Sequence, residues 1–285
     1  MTSDLGFSDE VYKQFLDIIQ KTKGMVLITG PTGSGKTTTL YATLNELIDP
    51  KKKILTVEDP IEYTNKKIVQ TELNRAKGVD FATILKSFLR QDPDIIMVGE
   101  IRDEETADTS MKAAQTGHLL LSTLHTNDTT RSVGRIRELN VDPMTFLSDT
   151  SGIVGQRLVR KVCPHCVEEY TPSEEKIEKY FGKIPVSKLT FVKGKGCRSC
   201  DFEGYKGRTA LTEIWAPSDE ELSKIEDLND ARGVRLNAIK HGLKTFYING
   251  VRKLQKKETT LDELIKIVPN IDEDREAYIK AKAKN

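Results

Sequence analysis

The chain has no uninterrupted apolar run near the ~18 residues that would predict a transmembrane helix. Its start, MTSDLGFSDE, lacks both the basic segment and the apolar core of a secretory signal. The net charge is only +1, which argues against nucleic-acid binding through a globally basic surface. Four cysteines are too few for a secreted disulfide scaffold. These absences predict a cytoplasmic globular protein, and 285 residues suit one large domain or two smaller ones.

Short apolar runs alternate with amphipathic stretches over about the first 160 residues. We predict strands over residues 25–29, 54–57, 95–98 and 118–124. Helices are predicted over residues 7–23, 37–48, 81–90 and 104–114, the first of them after a cap at Ser8 or Asp9. Strands that alternate with helices predict the α/β fold class, with a mostly parallel sheet that is covered on both faces.

The rest of the chain is less regular. Residues 161–208 are rich in Lys, Gly, Cys and Pro, which predicts a small, loop-rich subdomain between a core at residues 1–160 and a C-terminal region at residues 209–285. The C-terminal region is predicted to hold a strand over 209–215 and a helical stretch over 218–255, in a mostly helical part that packs on the core. Its charged last stretch is predicted as a solvated helix or a frayed tail.

A glycine-rich segment, GPTGSGKT, stands between the first predicted strand and the next helix. In that context the backbone N–H groups surround phosphate oxygens, and the helix N-terminus adds partial positive charge. Lys36 can reach the β- and γ-phosphates of a nucleotide, and the Thr37 hydroxyl can bind Mg²⁺. The predicted nucleotide-binding residues here are Gly30, Pro31, Thr32, Gly33, Ser34, Gly35, Lys36, Thr37 and Thr38.

Carboxylates follow two predicted strands, at the edge where parallel strands open onto a nucleotide crevice. Glu100 ends the run DIIMVGE, which is the Walker B arrangement. Glu58, Asp59 and Glu62 follow the strand over residues 54–57. Taken alone, these three are typical of a solvated turn, but beside a phosphate loop such groups can hold the metal or orient the attacking water.

His118 and His125 bracket the run LLLSTL. A regular strand places residues of odd separation on opposite faces, so one or both histidines could lie at a strand end near the γ-phosphate. An isolated histidine at a strand end is more often a structural hydrogen-bonding residue.

Two CxxC pairs, Cys163 with Cys166 and Cys197 with Cys200, predict a structural zinc site of four thiolates. Thirty residues separate the pairs, which is longer than the usual ribbon spacing. A disulfide is disfavoured in a cytoplasmic chain, and a redox CxxC normally occurs singly. His165 is an alternative ligand, although four sulfurs already close the zinc shell.

These motifs together resemble the secretion ATPase superfamily of type II secretion and type IV pilus assembly (the GspE/PilB type). The resemblance runs in order through GPTGSGKTTTLYATL, TVEDPIEY, LRQDPDIIMVGEIRDEETA, AAQTGHLLLSTLHTNDT and QRLVRKVCPHC, then through the second CxxC pair and HGLKTFYINGVRKL. It covers nearly the whole chain. It implies a RecA-like P-loop NTPase core with a zinc-bound tetracysteine insert and C-terminal helices.

The resemblance also implies roles for the acidic residues. Glu62 matches the catalytic glutamate of the family's Asp box, and Glu100 matches the Walker B glutamate. Glu58 and Asp59 would shape the metal environment.

Basic side chains receive implied roles in the same way. His118 and His125 match the His-box pair that senses or contacts the γ-phosphate region. Arg90 or Arg102 could stabilise charge on the transferred phosphate, although an ordinary ion pair is the simpler interpretation of each.

The implied function is ATP binding and hydrolysis with Mg²⁺, within a hexameric ring that powers pseudopilus or pilus assembly. The expected partners are further copies of the chain, an inner-membrane platform and adaptor proteins, with no nucleic acid. The expected location is cytoplasmic, peripheral to the inner membrane through those partners. The tetracysteine module favours an assembly or secretion motor over a retraction motor.

Two alternatives remain open from the residues themselves, a P-loop kinase and a nucleic-acid-associated ATPase with a zinc module. Family members normally carry N-terminal domains before this segment. We therefore expect either an excised motor domain or an unusually short natural form, with weak hydrolysis.

Overall fold

Uninterrupted apolar segments form the centre of a parallel sheet in the computed structural model, which describes residues 5–74, 76 and 78–282. The strands are β1 (Gly24–Thr29), β2 (Ile54–Glu58), β3 (Val69–Glu72), β4 (Ile95–Val98), β5 (Leu119–Leu124), β6 (Thr150–Val162), β7 (Val167–Glu169), β8 (Val192–Gly194) and β9 (Tyr205–Trp215). Every residue of β1, β2, β4 and β5 is buried, as expected for strands that are covered on both faces.

The main sheet has the strand order β3-β2-β4-β5-β1-β6-β9. Parallel pairs join β3 to β2, β2 to β4, β4 to β5, β5 to β1 and β1 to β6. The prediction of an α/β fold with a mostly parallel sheet is therefore confirmed. A second, two-stranded sheet pairs β7 with β8 in antiparallel orientation.

Neither β3 nor β6 is predicted from the sequence. The short strand β3 is half exposed and therefore lacks an apolar run. Strand β6 contains Gly152 and Gly155, and glycine is depleted in strands. The glycine at position 152 lets a helix approach closely, because a Cβ atom there would lie 2.8 Å from Ile18 Cγ2.

Side-chain caps define several helix starts. Ser8 Oγ accepts from the Val11 N–H, which settles the alternative between Ser8 and Asp9. The helices are α1 (Asp9–Ile19), α2 (Lys36–Leu47), α3 (Phe81–Phe88), α4 (Glu104–Gln115), α5 (Ser132–Glu138), α6 (Pro143–Ser148), α7 (Glu174–Phe181), α8 (Asp219–Leu222), α9 (Ala231–Lys240), α10 (Phe246–Gln255), α11 (Leu261–Ile267) and α12 (Ile271–Lys282). Within the described ranges, none of them has the length and apolar composition to cross a bilayer.

Two units make up the chain. The first comprises residues 1–155 and 214–238, and the second comprises residues 156–213 and 239–285. The segment 161–208 lies within the second unit, and the predicted C-terminal region is divided between the units.

Each unit has its own apolar core. In the first, Phe15 and Ile19 of α1 pack in one cluster with Val26 of β1 and Leu44 of α2. In the second, the buried residues are Val159, Tyr180, Phe181, Phe191, Leu211, Phe246, Tyr247, Leu254, Leu261, Leu264 and Val268. The segment 161–208 therefore supplies core side chains and a helix, so the prediction that it is mainly loops is only partly right.

The predicted helical stretch over residues 218–255 is three helices. A turn ends α8 and precedes α9, and in it Asp227 Oδ1 accepts from the Asn229 N–H at 2.8 Å. Short polar side chains of this kind compete with helical hydrogen bonds, which explains the interruption.

We expect Asp80→Ala to lower the free energy of unfolding by about 1 kcal/mol, because Asp80 caps α3 through a 2.8 Å bond from the Thr83 N–H. That bond lowers the pKa of Asp80, so the ionised carboxylate stabilises the folded chain above the ordinary aspartate pKa of about 4. Its advantage over Asp80→Asn should disappear as the pH falls through the lowered pKa. Urea unfolding from pH 7 to pH 3 tests this, and a pH-independent difference between the two proteins would contradict it.

Candidate functional site

The glycine-rich segment joins the end of β1 to the start of α2. Gly33 and Gly35 have φ values of 76° and 86°, the left-handed region that glycine adopts without strain. Gly35 is the N-cap of α2 and provides no side-chain cap. The first amides of α2 therefore keep their capacity to bind an anion, and the helix dipole favours negative charge there.

Lys36 folds back over this loop. Its Nζ donates to the carbonyl oxygens of Gly30 and Pro31 at 2.9 and 3.1 Å. Burial lowers the pKa of the Lys36 ammonium, and the nearby charge of Glu100 partly offsets that effect. A cation is thus held at the loop within electrostatic range of the Glu100 carboxylate.

Glu100 follows β4 and is surrounded by basic side chains. Its Oε2 lies 2.5 Å from Arg102 Nε and 3.7 Å from His125 Nε2, and its side chain is only 14% exposed. Burial is the main cause that lowers the pKa of His125, with Lys36 acting in the same direction and Glu100 opposing it. The imidazole is therefore mostly neutral at pH 7. The structure brings together Lys36, Glu100, Arg102 and His125, which we call the phosphate-edge group.

Strand order explains this convergence. Strand β5 lies between β4 and β1, and all three are parallel. The last residues of β1 and β5, Thr29 and Leu124, are directly paired. The carboxyl ends of these strands therefore meet at one edge, where Gly30, Glu100 and His125 follow them.

Glu58 has a different environment from the one that its sequence suggests. It is 4% exposed, and it accepts hydrogen bonds from the Tyr41 hydroxyl, from Thr56 Oγ1 at 2.6 Å and from Gln70 Nε2 at 3.0 Å. Burial, together with the bond to Glu58, raises the pKa of Tyr41 to about 12. The Glu58 carboxylate thus joins β2 to α2 and β3.

Asp59 and Glu62 lie on the loop after β2, and both are exposed. The contacts that define the phosphate-edge group do not include them. Because β2 is parallel to β4 and adjacent to it, this loop nevertheless leaves the sheet at the same edge.

The structure does not bring His118 to this site. His118 precedes β5, and its Nδ1 lies 3.0 Å from the Ala113 carbonyl oxygen and 3.1 Å from Thr116 Oγ1. His125 follows the other end of the same strand, about 20 Å away at ~3.3 Å per residue. Of the two histidines, the structure brings His125 into the phosphate-edge group, and the role of His118 that the resemblance implies stays a prediction.

A loop after β5 holds residues that the sequence analysis misses. Asp128 is fully buried, and its Oδ1 accepts from Thr130 Oγ1 at 2.9 Å and from the Arg131 N–H at 3.0 Å. Its carboxylate also lies 3.1 Å from Arg131 Nε and 3.4 Å from an Nη atom of Arg235 on α9. The segment NDTTR carries a turn signal, but the partner on α9 is distant in sequence and could not be identified.

A cleft of about 370 Å³ opens beside Pro31 of the phosphate loop. His125, Arg131 and Arg135 line it. The Arg131 guanidinium pairs with Asp128 at 3.1 Å, and the Arg135 guanidinium pairs with Glu138, which also lines the cleft, at 2.9 Å. Arg90 lies apart, exposed just after α3, and Arg102 forms the ion pair with Glu100 that the sequence suggested as its simpler role.

The four cysteines form a cluster in the second unit, and all are free thiols whose Sγ atoms lie within 4.8 Å of one another. Three of the separations are 3.9 Å for Cys163–Cys197, 3.8 Å for Cys166–Cys200 and 3.8 Å for Cys197–Cys200. His165 is exposed and outside the cluster.

Close backbone packing supports the cysteine cluster. A Cβ atom on Gly194 would lie 2.1 Å from the Gly204 carbonyl oxygen, and Gly204 has a φ of 77°. The two glycines therefore let the segments beside the cysteine turns meet at van der Waals distance.

Comparison with known proteins gives a consistent family. A family model described as a type II/IV secretion system protein matches residues 2–266. The chain is 42% identical over 263 residues to the type IV pilus assembly ATPase PilB of Thermus thermophilus, covering 92% of this chain and 30% of that protein. It is 41% identical over 263 residues to the type II secretion system protein E of Pseudomonas aeruginosa, covering 92% of this chain and 52% of that protein. The chain thus spans about a third to a half of the length of these relatives.

Solved structures share the fold. The pilus retraction motor PilT with bound ADP has a TM-score of 0.56 and 26% identity, covering 97% of this chain and 66% of that one. The ATPase DotB of Legionella pneumophila has a TM-score of 0.68 and 22% identity, covering 92% of this chain and 63% of that one. The likeness to DotB concerns the fold alone.

Substitutions in the phosphate-edge group should move the pKa of His125 in opposite directions. We expect Lys36→Ala to raise it, because a nearby cation disappears, and Glu100→Gln to lower it further, because the opposing carboxylate disappears. Titration of the His125 ring signals by NMR measures both shifts. Identical His125 titrations in all three proteins would show that these charges do not interact.

Proposed function

Because this chain belongs to the type II/IV secretion system protein family, we propose that it is an ATP-hydrolysing motor domain for type IV pilus assembly or type II secretion. The names of the two relatives support this assignment, since one is a pilus assembly ATPase and the other a type II secretion protein. The tetracysteine cluster favours assembly or secretion over pilus retraction. The main structural support for the proposal is that the residues of the phosphate-edge group lie together beside the phosphate loop.

The proposed nucleotide site is the phosphate loop of a RecA-like core. Residues Gly30 to Thr38 surround the phosphates with backbone amides, and Lys36 neutralises charge on the β- and γ-phosphates. The Thr37 hydroxyl is the proposed Mg²⁺ ligand, and Mg²⁺ supplies further charge neutralisation when bound. PilT, which shares this fold, holds ADP in its crystal structure, and this supports a nucleotide as the ligand.

Glu100 is the proposed group that orients or deprotonates the attacking water. An ionised carboxylate can accept that proton, and Glu100 lies beside Arg102 and His125 at the edge of the phosphate loop. Neutral His125 can donate a hydrogen bond from its ring toward the γ-phosphate region. Arg131 and Arg135 line the adjoining cleft, and their proposed role is to offset negative charge that develops during phosphoryl transfer.

The carboxylates after β2 have separate proposed roles. Glu62 remains a proposed catalytic glutamate, since its loop leaves the sheet at the phosphate edge. Asp59 is proposed to contribute to the metal environment from the same loop. Glu58 is proposed to act on the site indirectly. Its carboxylate accepts three hydrogen bonds, and these hold the end of β2 in place.

Zinc is the proposed occupant of the cysteine cluster. Zn–S bonds of about 2.3 Å in a tetrahedron require sulfur–sulfur separations of about 3.8 Å. The separations of 3.8 and 3.9 Å fit this requirement, whereas a disulfide needs about 2.05 Å. Cys163, Cys166, Cys197 and Cys200 would hold the ion, which would stabilise the second unit without a catalytic role, since four thiolates close its shell.

The assembly context is proposed from the family. The active form is a hexameric ring, peripheral to the inner membrane, in which the nucleotide cycle moves a membrane platform and its adaptor proteins. These statements concern whole proteins that are longer than this chain.

Steady-state ATP hydrolysis tests the proposed activity. We expect Glu100→Gln to lower kcat by about 100-fold or more while ATP still binds, because it removes a proton acceptor. Lys36→Ala should weaken both binding and turnover, because it removes the phosphate-loop cation. Light scattering at the assay concentrations reports the oligomeric state of each protein. If the unmodified chain hydrolyses ATP no faster than both variants, the activity is absent.

Metal analysis tests the zinc site. The purified chain should contain about one zinc per molecule, and Cys197→Ser should lose it, because three thiolates hold zinc more weakly. Ser199→Ala is the matched control, since Ser199 lies in the same turn but outside the cluster. Equal zinc content in the cysteine and serine variants would exclude the site.

A further inference from the structure

One threonine hydroxyl contacts the chain on both sides of His125. Thr29, the last residue of β1, is fully buried. Its Oγ1 lies 3.2 Å from the Leu124 carbonyl oxygen, to which it donates, and it accepts from the Thr126 N–H at 3.0 Å. The two backbone groups that flank His125 are therefore bonded to the same oxygen atom.

A second hydroxyl extends this connection. Thr126 Oγ1 lies 2.7 Å from Thr29 Oγ1 and 2.7 Å from the Asp128 carbonyl oxygen, and its single proton is donated to one of these two acceptors. Asp128 is itself the buried residue that engages Arg131 and Arg235. The loop after β5 is thus joined at one end to β1 and at the other to α9. We call Thr29 and Thr126 the threonine clamp.

The clamp begins where the backbone pairing between β1 and β5 ends. Thr29 and Leu124 are the last paired residues of these strands. Beyond them the chain enters the phosphate loop on one side and His125 on the other. Beyond this pair, side-chain hydroxyl groups take the place of the backbone hydrogen bonds between the strands. This happens where the phosphate loop and the segment that contains His125 separate.

His125 depends on this backbone support. Its side chain is 44% exposed, and its contact with Glu100 is 3.7 Å, which is too long for a strong hydrogen bond. The backbone at residue 125 sets where the side chain begins, and thereby the range of positions that the ring can reach. A displacement of about 1 Å at a reacting centre can cost about 100-fold in rate.

We propose that Thr29 and Thr126 are positioning residues that hold His125 against Glu100 and the phosphate loop. This inference rests on the proposed ATPase function for its effect on turnover, but not for its effect on the position of His125. Neither threonine touches the reacting atoms, and both act through the backbone on either side of the histidine.

Isosteric substitutions test the clamp in the full chain. Thr29→Val removes the hydroxyl and keeps the shape, and Thr29→Ser keeps the hydroxyl. We expect Thr29→Val to lower kcat about 10-fold or more, while the KM for ATP changes less than about 2-fold, and Thr29→Ser to restore most of kcat. NMR titration should show an altered pKa of His125 in the valine variant, because its distances to Lys36 and Glu100 change.

A matched control and a second variant keep the result interpretable. Thr109→Val also removes a buried hydroxyl, but that hydroxyl bonds only within α4, to the Glu105 carbonyl oxygen. It should leave kcat and the His125 titration unchanged. If Thr29→Val does not fold, Thr126→Val removes the outer hydroxyl and leaves the Thr126 N–H bond to Thr29 in place.

Two results would overturn the clamp. One is a folded valine variant with wild-type kcat and an unchanged His125 titration. The other is an equal loss of kcat in the valine and serine variants, which would indicate packing and not hydrogen bonding. If the unmodified chain hydrolyses no more ATP than Glu100→Gln, the proposed function fails instead, and the His125 titration still decides the clamp.

Discussion

The parallel pairing of β1, β5 and β4 is the constraint on which the candidate site depends. It brings the phosphate loop, His125 and Glu100 to one edge of the sheet, although they are far apart in sequence. Every residue in these strands is buried, because apolar layers cover both faces of the sheet. The positions of the charged groups therefore follow from apolar packing beneath them.

The charged groups of the candidate site can lie close together because charges of opposite sign compensate one another. Glu100 lies beside Arg102 and His125, and its charge partly offsets the cost of burying the Lys36 ammonium. His125 responds to both charges and stays mostly neutral at pH 7. In the proposed function, the cations would attract an anionic ligand and the carboxylate would serve the chemistry.

The fold could be predicted well wherever burial and periodicity coincide along the chain. The four central strands and the helices between them follow this rule. It fails for β3, which is half exposed, and for β6, in which Gly152 allows close packing against Ile18 of α1. It also fails in the segment 161–208, where the buried aromatic residues Tyr180, Phe181 and Phe191 form a core with residues that follow much later in the chain.

The sequence by itself determined the local chemistry: a glycine-rich loop before a helix, a carboxylate after an apolar strand and two CxxC turns. Each depends on residues that are adjacent in the chain, so backbone geometry alone brings their atoms together. Only the tertiary structure decided which groups meet across strands. It engaged Glu58 with Tyr41 and Gln70, separated His118 from His125 and joined Thr29 to Thr126. These contacts and separations depend on strand order and register. Both arise from packing of the whole sheet, so no local pattern in the sequence indicates them.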